Sequence, residues 1–311
     1  MASENSASSP SGPRGRPADD VRRLAVFDEY RPLLFSIAYR MLGTIADAED
    51  MVQEAFIRWQ RTDSADVRDS RALLVTIVSR LCINQLQSAR VKRVEYVGQW
   101  LPEPVMTDPQ NDPLGVLRLD ESLSMALLVL LERLTPTERA VFLLREVFGY
   151  TYAEIGSALG QTEANCRQVF HRARAHVGNM RRRFHASGEE HMRLLERFVQ
   201  ASRNGDMHGL LQLLASDVTL HSDGGGKAIA VPNLIRGAEK VARGLVHGIT
   251  RVLPKDMRFK SAWINGDAGV ISYLDGKPYS VLILDVRDAL VSSVYIVTNP
   301  EKLVHLPPLE E

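Results

Sequence analysis

The 311-residue chain is poor in cysteine and in aromatics, and has no excess of either charge. Its two cysteines, Cys82 and Cys166, offer no disulfide framework. Both fall among apolar helical residues, where they read as small buried hydrophobes. No group of histidines, cysteines and acids has metal-ligand spacing, no internal repeat is visible, and no cofactor is expected. No apolar run reaches the length of a membrane span. Residues 1–20, MASENSASSPSGPRGRPADD, lack the apolar core of a signal peptide and are rich in Ser, Pro and Gly, so a disordered tail is expected there. The chain therefore reads as cytoplasmic, with no membrane partner. Lys plus Arg equals Asp plus Glu at 38 each, which excludes a uniformly basic nucleic-acid binder. Any basic footprint must be local. The length allows two or three domains, each with its own core.

A local basic footprint exists. Between Gln161 and His185 stand six arginines (Arg167, Arg172, Arg174, Arg181, Arg182, Arg183) and one acid, Glu163. Just before it, Thr151 followed by Glu154 has the form of a capping box. Gly160 stands where a helix must end in a left-handed residue, and Thr162 caps a second helix. Ile155 and Leu159 face Cys166 and Val169 across the turn. Two short helices joined by a tight turn result, and Glu163, Asn165, Arg167, Gln168, His171 and Arg172 lie on the first turns and outer face of the second. Most are donors suited to phosphate oxygens and base edges in a major groove, so the motif reads as a DNA-binding helix-turn-helix. An ordinary helical hairpin with a solvated basic face is the alternative. Gln161 is polar where such turns usually bury an apolar residue. Thr135-Pro136-Thr137-Glu138 starts the preceding helix, whose buried face is Val141, Phe142, Leu144 and Val147. A long amphipathic helix is expected before it, over 114–134.

Residues 21–93 form the first block. Leu24, Phe27, Leu34, Ile37, Ala38 and Met41 make one apolar stripe on a helix that Gly43 ends. Thr44 with Asp47 starts a second helix with an acidic surface: Asp47, Glu49, Asp50, Gln53 and Glu54. Ser70 is read as the cap of a third helix, apolar at Leu73, Leu74, Ile77, Val78, Leu81 and Leu86 and basic at its end. Solvated charged faces are the plain alternative for both charge runs.

The stretch YRPLLFSIAYRMLGTIADAEDMVQEAFIRWQ, and within it the acidic run at 47–54, resembles region 2 of bacterial extracytoplasmic-function sigma factors. Residues 135–174, ending in His-Arg-Ala-Arg, resemble region 4 of the same family. The resemblance implies a non-enzymatic initiation factor whose partners are core RNA polymerase and promoter DNA. It implies that Asp47, Glu49, Asp50, Gln53 and Glu54 dock on the polymerase. Arg71, Arg80, Asn84, Arg90, Lys92 and Arg93 would engage and melt the −10 element, and the helix-turn-helix, over a domain at 114–186, would bind the −35 element. Melting needs captured bases and a positively lined single strand, yet aromatics are scarce on this helix.

Residues 94–113 carry four prolines and a glycine. Such a segment is extended and semi-rigid. It reaches on the order of 65 Å at about 3.3 Å per residue, close to two turns of duplex at roughly 34–36 Å each. Trp100-Leu101-Pro102-Glu103-Pro104 is apolar for a linker and either packs in a groove of the protein or meets a partner.

Residues 189–306 change character. Two helices are expected over 190–214, then strands at 218–221, 228–231, 257–264, 268–274, 279–285 and 290–297, with turns at Asn265-Gly266-Asp267 and Asp275-Gly276-Lys277. The resulting α+β fold resembles a SnoaL-like cone. The whole is then multidomain: two all-α domains followed by that cone. Asp223, Gly224, Gly225, Gly226 and Lys227 form a loop that could hold an anion, seat a neighbouring segment, or simply turn; it is not a nucleotide P-loop. With Trp100-Leu101-Pro102-Glu103-Pro104 and with Asn299-Pro300-Glu301-Lys302-Leu303, it resembles the SigJ-type subgroup of the sigma family. That resemblance implies that these residues meet at the interface between cone and sigma core. A small-molecule or protein regulator would then act through the cone. His221 and Asp223 would suit acid–base chemistry if both faced a pocket, although a lone strand histidine is commonly a core residue. Two other functions compete: a ligand-responsive helix-turn-helix repressor, and a sigma-like protein whose cone is an active isomerase or cyclase.

Overall fold

The computed structural model describes residues 17–62, 67–93, 96–107, 124–178, 188–252, 254 and 256–309. Helix α1 (Pro17–Leu42) already includes the end of the expected tail, whose remainder lies outside the described residues. It closes at Gly43, whose φ of +80° suits a residue without Cβ. A Cβ there would also lie 2.5 Å from the Trp100 ring. Helix α2 (Ile45–Arg61) starts with the Thr44 hydroxyl accepting from the Asp47 N–H. Helix α3 (Ser70–Arg93) is capped one residue earlier than expected: Asp69 Oδ1 accepts from the Ala72 N–H at 3.0 Å. Asp and Ser are equally good caps, so the cap's composition could not separate them.

Helix α4 covers only Met125–Leu131, capped by Ser124; the earlier part of the helix expected over 114–134 lies outside the described residues. Helix α5 (Pro136–Phe142) has the full Thr135–Glu138 capping box and runs into a π turn over Leu143–Val147. Helices α6 (Tyr152–Leu159) and α7 (Glu163–Val177) meet at Gly160 (φ +69°).

The two helical blocks are not held apart. One continuous apolar core runs from Phe27 to Val177, through Leu34, Val78, Leu131, Phe142 and Phe170. Arg139, buried on α5, donates to the Met41 carbonyl at 2.6 Å and pairs with Glu132 at 2.7 Å. Nor is the described stretch of the linker a free tether. Leu101, Pro102, Glu103 and Pro104 are buried, so the run from Trp100 packs within the protein.

The α+β unit comprises α8 (Gly188–Asn204), α9 (Met207–Leu213), β1 (Leu214–Asp223), β2 (Ile235–Arg236), α10 (Ala238–Val252), β3 (Arg258–Ile264), β4 (Asp267–Leu274), β5 (Lys277–Arg287) and β6 (Leu290–Val297). The sheet order is β2-β1-β6-β5-β4-β3, antiparallel except for the parallel β1–β6 pair. Asn265-Gly266 and Asp275-Gly276 carry positive φ at both positions, the mirror-image turn of a two-residue hairpin.

Two expectations fail here. Residues 228–231 are not a strand, and α10 was not anticipated. Gly244 and Gly248 argue against a helix by propensity. Burial of Val241, Ala242 and Leu245 against the sheet overrides them.

Both faces of this sheet are covered. Val270, Leu284 and Val294 face α8, α9 and α10. Their strand neighbours Ile271, Ile283 and Tyr295 face Leu101 of the linker and Met125 and Ala126 of α4.

The α6–α7 turn is built around Gly156. A Cβ there would lie 2.6 Å from the Gln161 carbonyl oxygen. Gly156→Ala should destabilise the helical blocks by about 1–3 kcal/mol, the usual cost of overpacking. A lowered urea midpoint at unchanged slope would register it; an unchanged midpoint would show that the turn gives way freely.

Candidate nucleic-acid interface

Helix α7 is held by its inner face and presents its outer one. Cys166, Val169, Phe170 and Ala173 are buried, while Glu163, Asn165, Arg167, Gln168, His171 and Arg172 are all exposed. Arg167 pairs with Glu163 one turn earlier and lies 5.5 Å over the Tyr152 ring. The Asn165 amide donates to Gln161 Oε1 at 3.1 Å. The polar residue after the turn glycine thus serves as an acceptor for the first turn of α7. Gln168, His171 and Arg172 continue the exposed basic face.

On α2, Glu49, Asp50 and Gln53 are exposed. Glu54 is half-buried and pairs with Arg58 at 2.9 Å. Asp47 is turned back, accepting from the Thr44 hydroxyl at 2.6 Å and the Gln85 amide at 3.4 Å.

The residues of α3 divide. Asn84 is exposed. Arg71 lies 5.3 Å over the Tyr150 ring, and Arg80 Nε donates to the Ala158 carbonyl of α6 at 2.8 Å. Both arginines therefore touch the helix-turn-helix block. Arg90, Lys92 and Arg93 lie on the last turns of α3, and their side chains fall outside the described residues, as do Arg181, Arg182 and Arg183.

The linker and the α+β unit meet at a buried carboxylate. Asp223, 0% exposed, accepts from the Tyr96 hydroxyl (2.5 Å) and the Gly225 N–H (3.0 Å) through Oδ1, and from the Leu101 N–H (2.8 Å) and Lys302 Nζ (2.7 Å) through Oδ2. Lys302 is itself buried, donates to the Leu101 carbonyl, and sits 4.1 Å over the Trp100 ring. Burial, with the Asp223 carboxylate beside it, pushes the Tyr96 phenol up, so it remains a donor. Asn299 caps the short Pro300–Lys302 turn and donates to the Tyr96 oxygen at 2.9 Å.

Each glycine of the loop is needed differently. A Cβ on Gly224 would lie 2.3 Å from the Ala228 carbonyl, one on Gly225 2.4 Å from the Asn299 amide, and one on Gly226 3.1 Å from Val97. The loop is thus a seat for the linker and the C-terminal turn, and its aspartate is occupied by protein donors. Lys227 pairs with Glu301 at the surface.

A second contact lies beside it. Tyr39 of α1 donates to the Glu103 carbonyl (2.6 Å) and accepts from the Asn265 amide (2.7 Å). Glu103 Oε2 accepts from the Ile45 N–H at 2.8 Å, placing an anion at the N-terminus of α2. Burial pushes that carboxyl above the usual range, against the pull of the Ile45 N–H. Tyr39, Tyr96 and Asn265 were not expected as site residues, and Glu103 and Lys302 stood in the motifs of the resemblance without a role of their own. Nothing local marks a buried polar group whose partner lies far off in the chain.

His221 and Asp223 do not form an acid–base pair in a pocket. Their neighbours Leu220 and Ser222 line the concave cavity of the sheet, so His221 and Asp223 point to the opposite face. His221 stacks on Tyr295 with centroids 5.0 Å apart, and burial lowers its imidazole to about 4, so it is neutral near pH 7. Among the described residues, the cavity wall holds no carboxylate or imidazole. No helix among them is long and apolar enough to cross a membrane.

An exposed basic recognition helix, an acidic helix face on the same helical body and an appended α+β unit fit a DNA-binding transcription factor. The sigma-70 region 2 family matches residues 26–91, and the sigma-70 region 4 family matches residues 124–177. The ECF RNA polymerase sigma factor SigJ of Mycobacterium tuberculosis is 36% identical over 293 residues, covering 90% of this chain and 93% of its own. The probable ECF sigma factor SigI of the same organism is 31% identical over 281 residues, covering 90% and 94%. The crystal structure of SigJ aligns with a TM-score of 0.73 at 35% identity, over 90% of this chain and 97% of that one. The chain belongs to the extracytoplasmic-function RNA polymerase sigma factor family. It is a promoter-recognising subunit of RNA polymerase, and neither a free-standing repressor nor an enzyme is favoured.

The Asp223–Lys302 pair should be costly to break. Lys302→Met leaves the carboxylate buried without its cation, a loss of about 3–5 kcal/mol. The expected result is a lowered thermal midpoint together with rapid proteolysis in the 96–107 segment. A variant as resistant as the parent would show that Tyr96 and the Leu101 N–H suffice.

Proposed function

We propose that the sigma factor docks on core polymerase through Glu49, Asp50 and Gln53, with Asp47 and Glu54 flanking them. It reads the −35 element through Arg167, Gln168, His171 and Arg172, with Glu163 and Asn165 at the first turn. The observation that carries this reading is the exposure of every one of these α7 side chains on a helix whose other face is fully buried. Asn84, Arg90, Lys92 and Arg93 engage the −10 element, and Arg71 and Arg80 join them once α6 leaves α3. The contacts that hold those two arginines support this division: they are a cation–π contact and a single hydrogen bond. The linker seat formed by Trp100, Leu101, Pro102, Asp223, Gly224, Gly225, Gly226, Lys227, Asn299 and Pro300 transmits the state of the cone to the sigma core. The protein acts in the cytoplasm, where polymerase and promoter are.

Run-off transcription with purified core polymerase tests the docking surface. Glu49→Lys combined with Asp50→Lys should abolish initiation and core binding while leaving duplex binding intact, since both side chains are exposed. Core affinity unchanged by the double reversal would overturn the assignment. Arg172→Ala should weaken duplex binding and reduce the slope of log affinity against log salt by about one if Arg172 contacts phosphate. An unchanged slope would assign it to a base or to solvent.

A further inference from the structure

The concave face of the cone encloses a cavity of about 280 Å³, walled by Phe198, Leu220, Val270, Leu282 and Ile296 among others. Small-molecule sites run from roughly 300 to 1,000 Å³, and a dry engineered cavity of about 150 Å³ holds one benzene. The space therefore suits a body of about two rings. Most of the wall is apolar, but Ser202, Arg203, Ser222, Ser272, Tyr279, Ser280 and Thr298 also stand on it. Ser202, 1% exposed on α8, is part of the wall, and among the described residues its Oγ finds no hydrogen-bond partner. A buried hydroxyl left without a partner costs about 1–3 kcal/mol, and few survive in folded proteins. Ser222, by contrast, already accepts from the Val231 N–H at 3.3 Å. Arg203 is the one charged residue on the described wall; it is exposed and lies 4.8 Å over the Phe259 ring. Ile229, also on the wall, is 69% exposed, an apolar side chain left in water beside the cavity.

We propose that this cavity is a receptor site for a compact, neutral, largely apolar molecule of about two rings carrying one hydroxyl or carbonyl group, which meets Ser202. Occupancy reaches the linker through the wall itself. Ser222 lines the cavity, and the next residue, Asp223, holds the Leu101 N–H. The Thr298 hydroxyl, also on the wall, shares its one proton between the Asp223 carbonyl at 3.2 Å and the Ile229 carbonyl at 3.0 Å. A molecule that orders residues 228–231 and the end of β1 thereby tightens the seat on which the linker rests.

Fluorescence titration of the full-length protein with 2-naphthol, naphthalene and 2-naphthoate tests the site. The expected result is saturable binding of 2-naphthol at one site. Ser202→Ala should weaken it about three- to tenfold, the value of one neutral hydrogen bond, and leave naphthalene unaffected. Gly248→Phe, placed on the wall where an added Cβ meets open space, should abolish binding of both with an unchanged far-UV circular dichroism spectrum. Bound 2-naphthol should slow hydrogen exchange of the Leu101 amide in the parent and not in Gly248→Phe. No saturable 2-naphthol binding, or binding that survives Gly248→Phe, overturns the site. Equal loss of naphthalene and 2-naphthol in Ser202→Ala overturns the role of Ser202. Tighter binding of 2-naphthoate overturns the neutral-ligand assignment, and unchanged Leu101 exchange overturns the relay. No readout involves polymerase or DNA, so failure here is distinct from failure of the proposed docking and promoter contacts.

Discussion

A carboxylate with no access to water decides how the parts of this protein are joined. Asp223 takes donors from four places: the Tyr96 hydroxyl, the Leu101 amide, the Gly225 amide and the Lys302 ammonium. A buried ion pair adds little net stability, because desolvation offsets most of its attraction, whereas losing one partner is expensive. Its effect is therefore on arrangement more than on stability. Residues 96–107 form no helix or extended ladder of their own beyond one bridge, Met106 to Ile264. Their backbone groups still need partners once buried. Asp223, Asn265 and the Gly43 carbonyl supply them. A proline-rich segment that would otherwise be a spacer becomes an interior element, covered by α1 and α2 on one side and the sheet on the other.

This arrangement sets which contacts can yield. The Asp223–Lys302 pair at the centre of the linker seat is buried, so partial opening would strand a carboxylate. The contacts of α3 with the helix-turn-helix are of a different order. Arg71 over Tyr150 is worth about 0.5–1 kcal/mol at an exposed site. The Arg80 bond to Ala158, made by a charged donor, is worth about 1.5–3 kcal/mol. An anionic acceptor would offer the same arginines bonds in which both partners are charged. The contacts of Arg71 and Arg80 are thus easier to exchange than those held at Asp223. The apolar packing of α5 against α1 and α3 remains the larger obstacle to separating the blocks, with Arg139 buried against Met41 at its centre.

The helical half was legible because its signals are local. Capping boxes at Thr135 and Thr151, the cap at Thr162 and the left-handed Gly160 each sit within four residues of the group they satisfy. The hairpin turns at Asn265-Gly266 and Asp275-Gly276 were legible for the same reason. Strand β4 is buried almost throughout, so its alternation carries little contrast, yet its flanking turns fixed it to within one residue of the expected 268–274. Helix α10 was hidden by Gly244 and Gly248, and the first favours close approach, with Ile235 Cδ1 3.3 Å from where its Cβ would be. The glycine loop left three readings open because its role is set by residues far from it in sequence, Tyr96 and Asn299 foremost. Arg71 and Arg80 are exposed yet touch Tyr150 and Ala158, contacts between distant parts of the chain that no local pattern signals.

The period of a β-strand links the two sides of the cone. Successive residues of β1 point to opposite faces, so Leu220 and Ser222 belong to the cavity while His221 and Asp223 belong to the side that meets the sigma core. The same holds on β6, where Ile296 faces the cavity and Tyr295 and Val297 face the linker and the C-terminal turn. A shift of either strand by one residue would exchange these roles entirely, and the parallel β1–β6 register from Thr219 to Asp223 prevents it. Cavity and seat are therefore two surfaces of one pair of strands. No hinge or intervening layer separates the two surfaces.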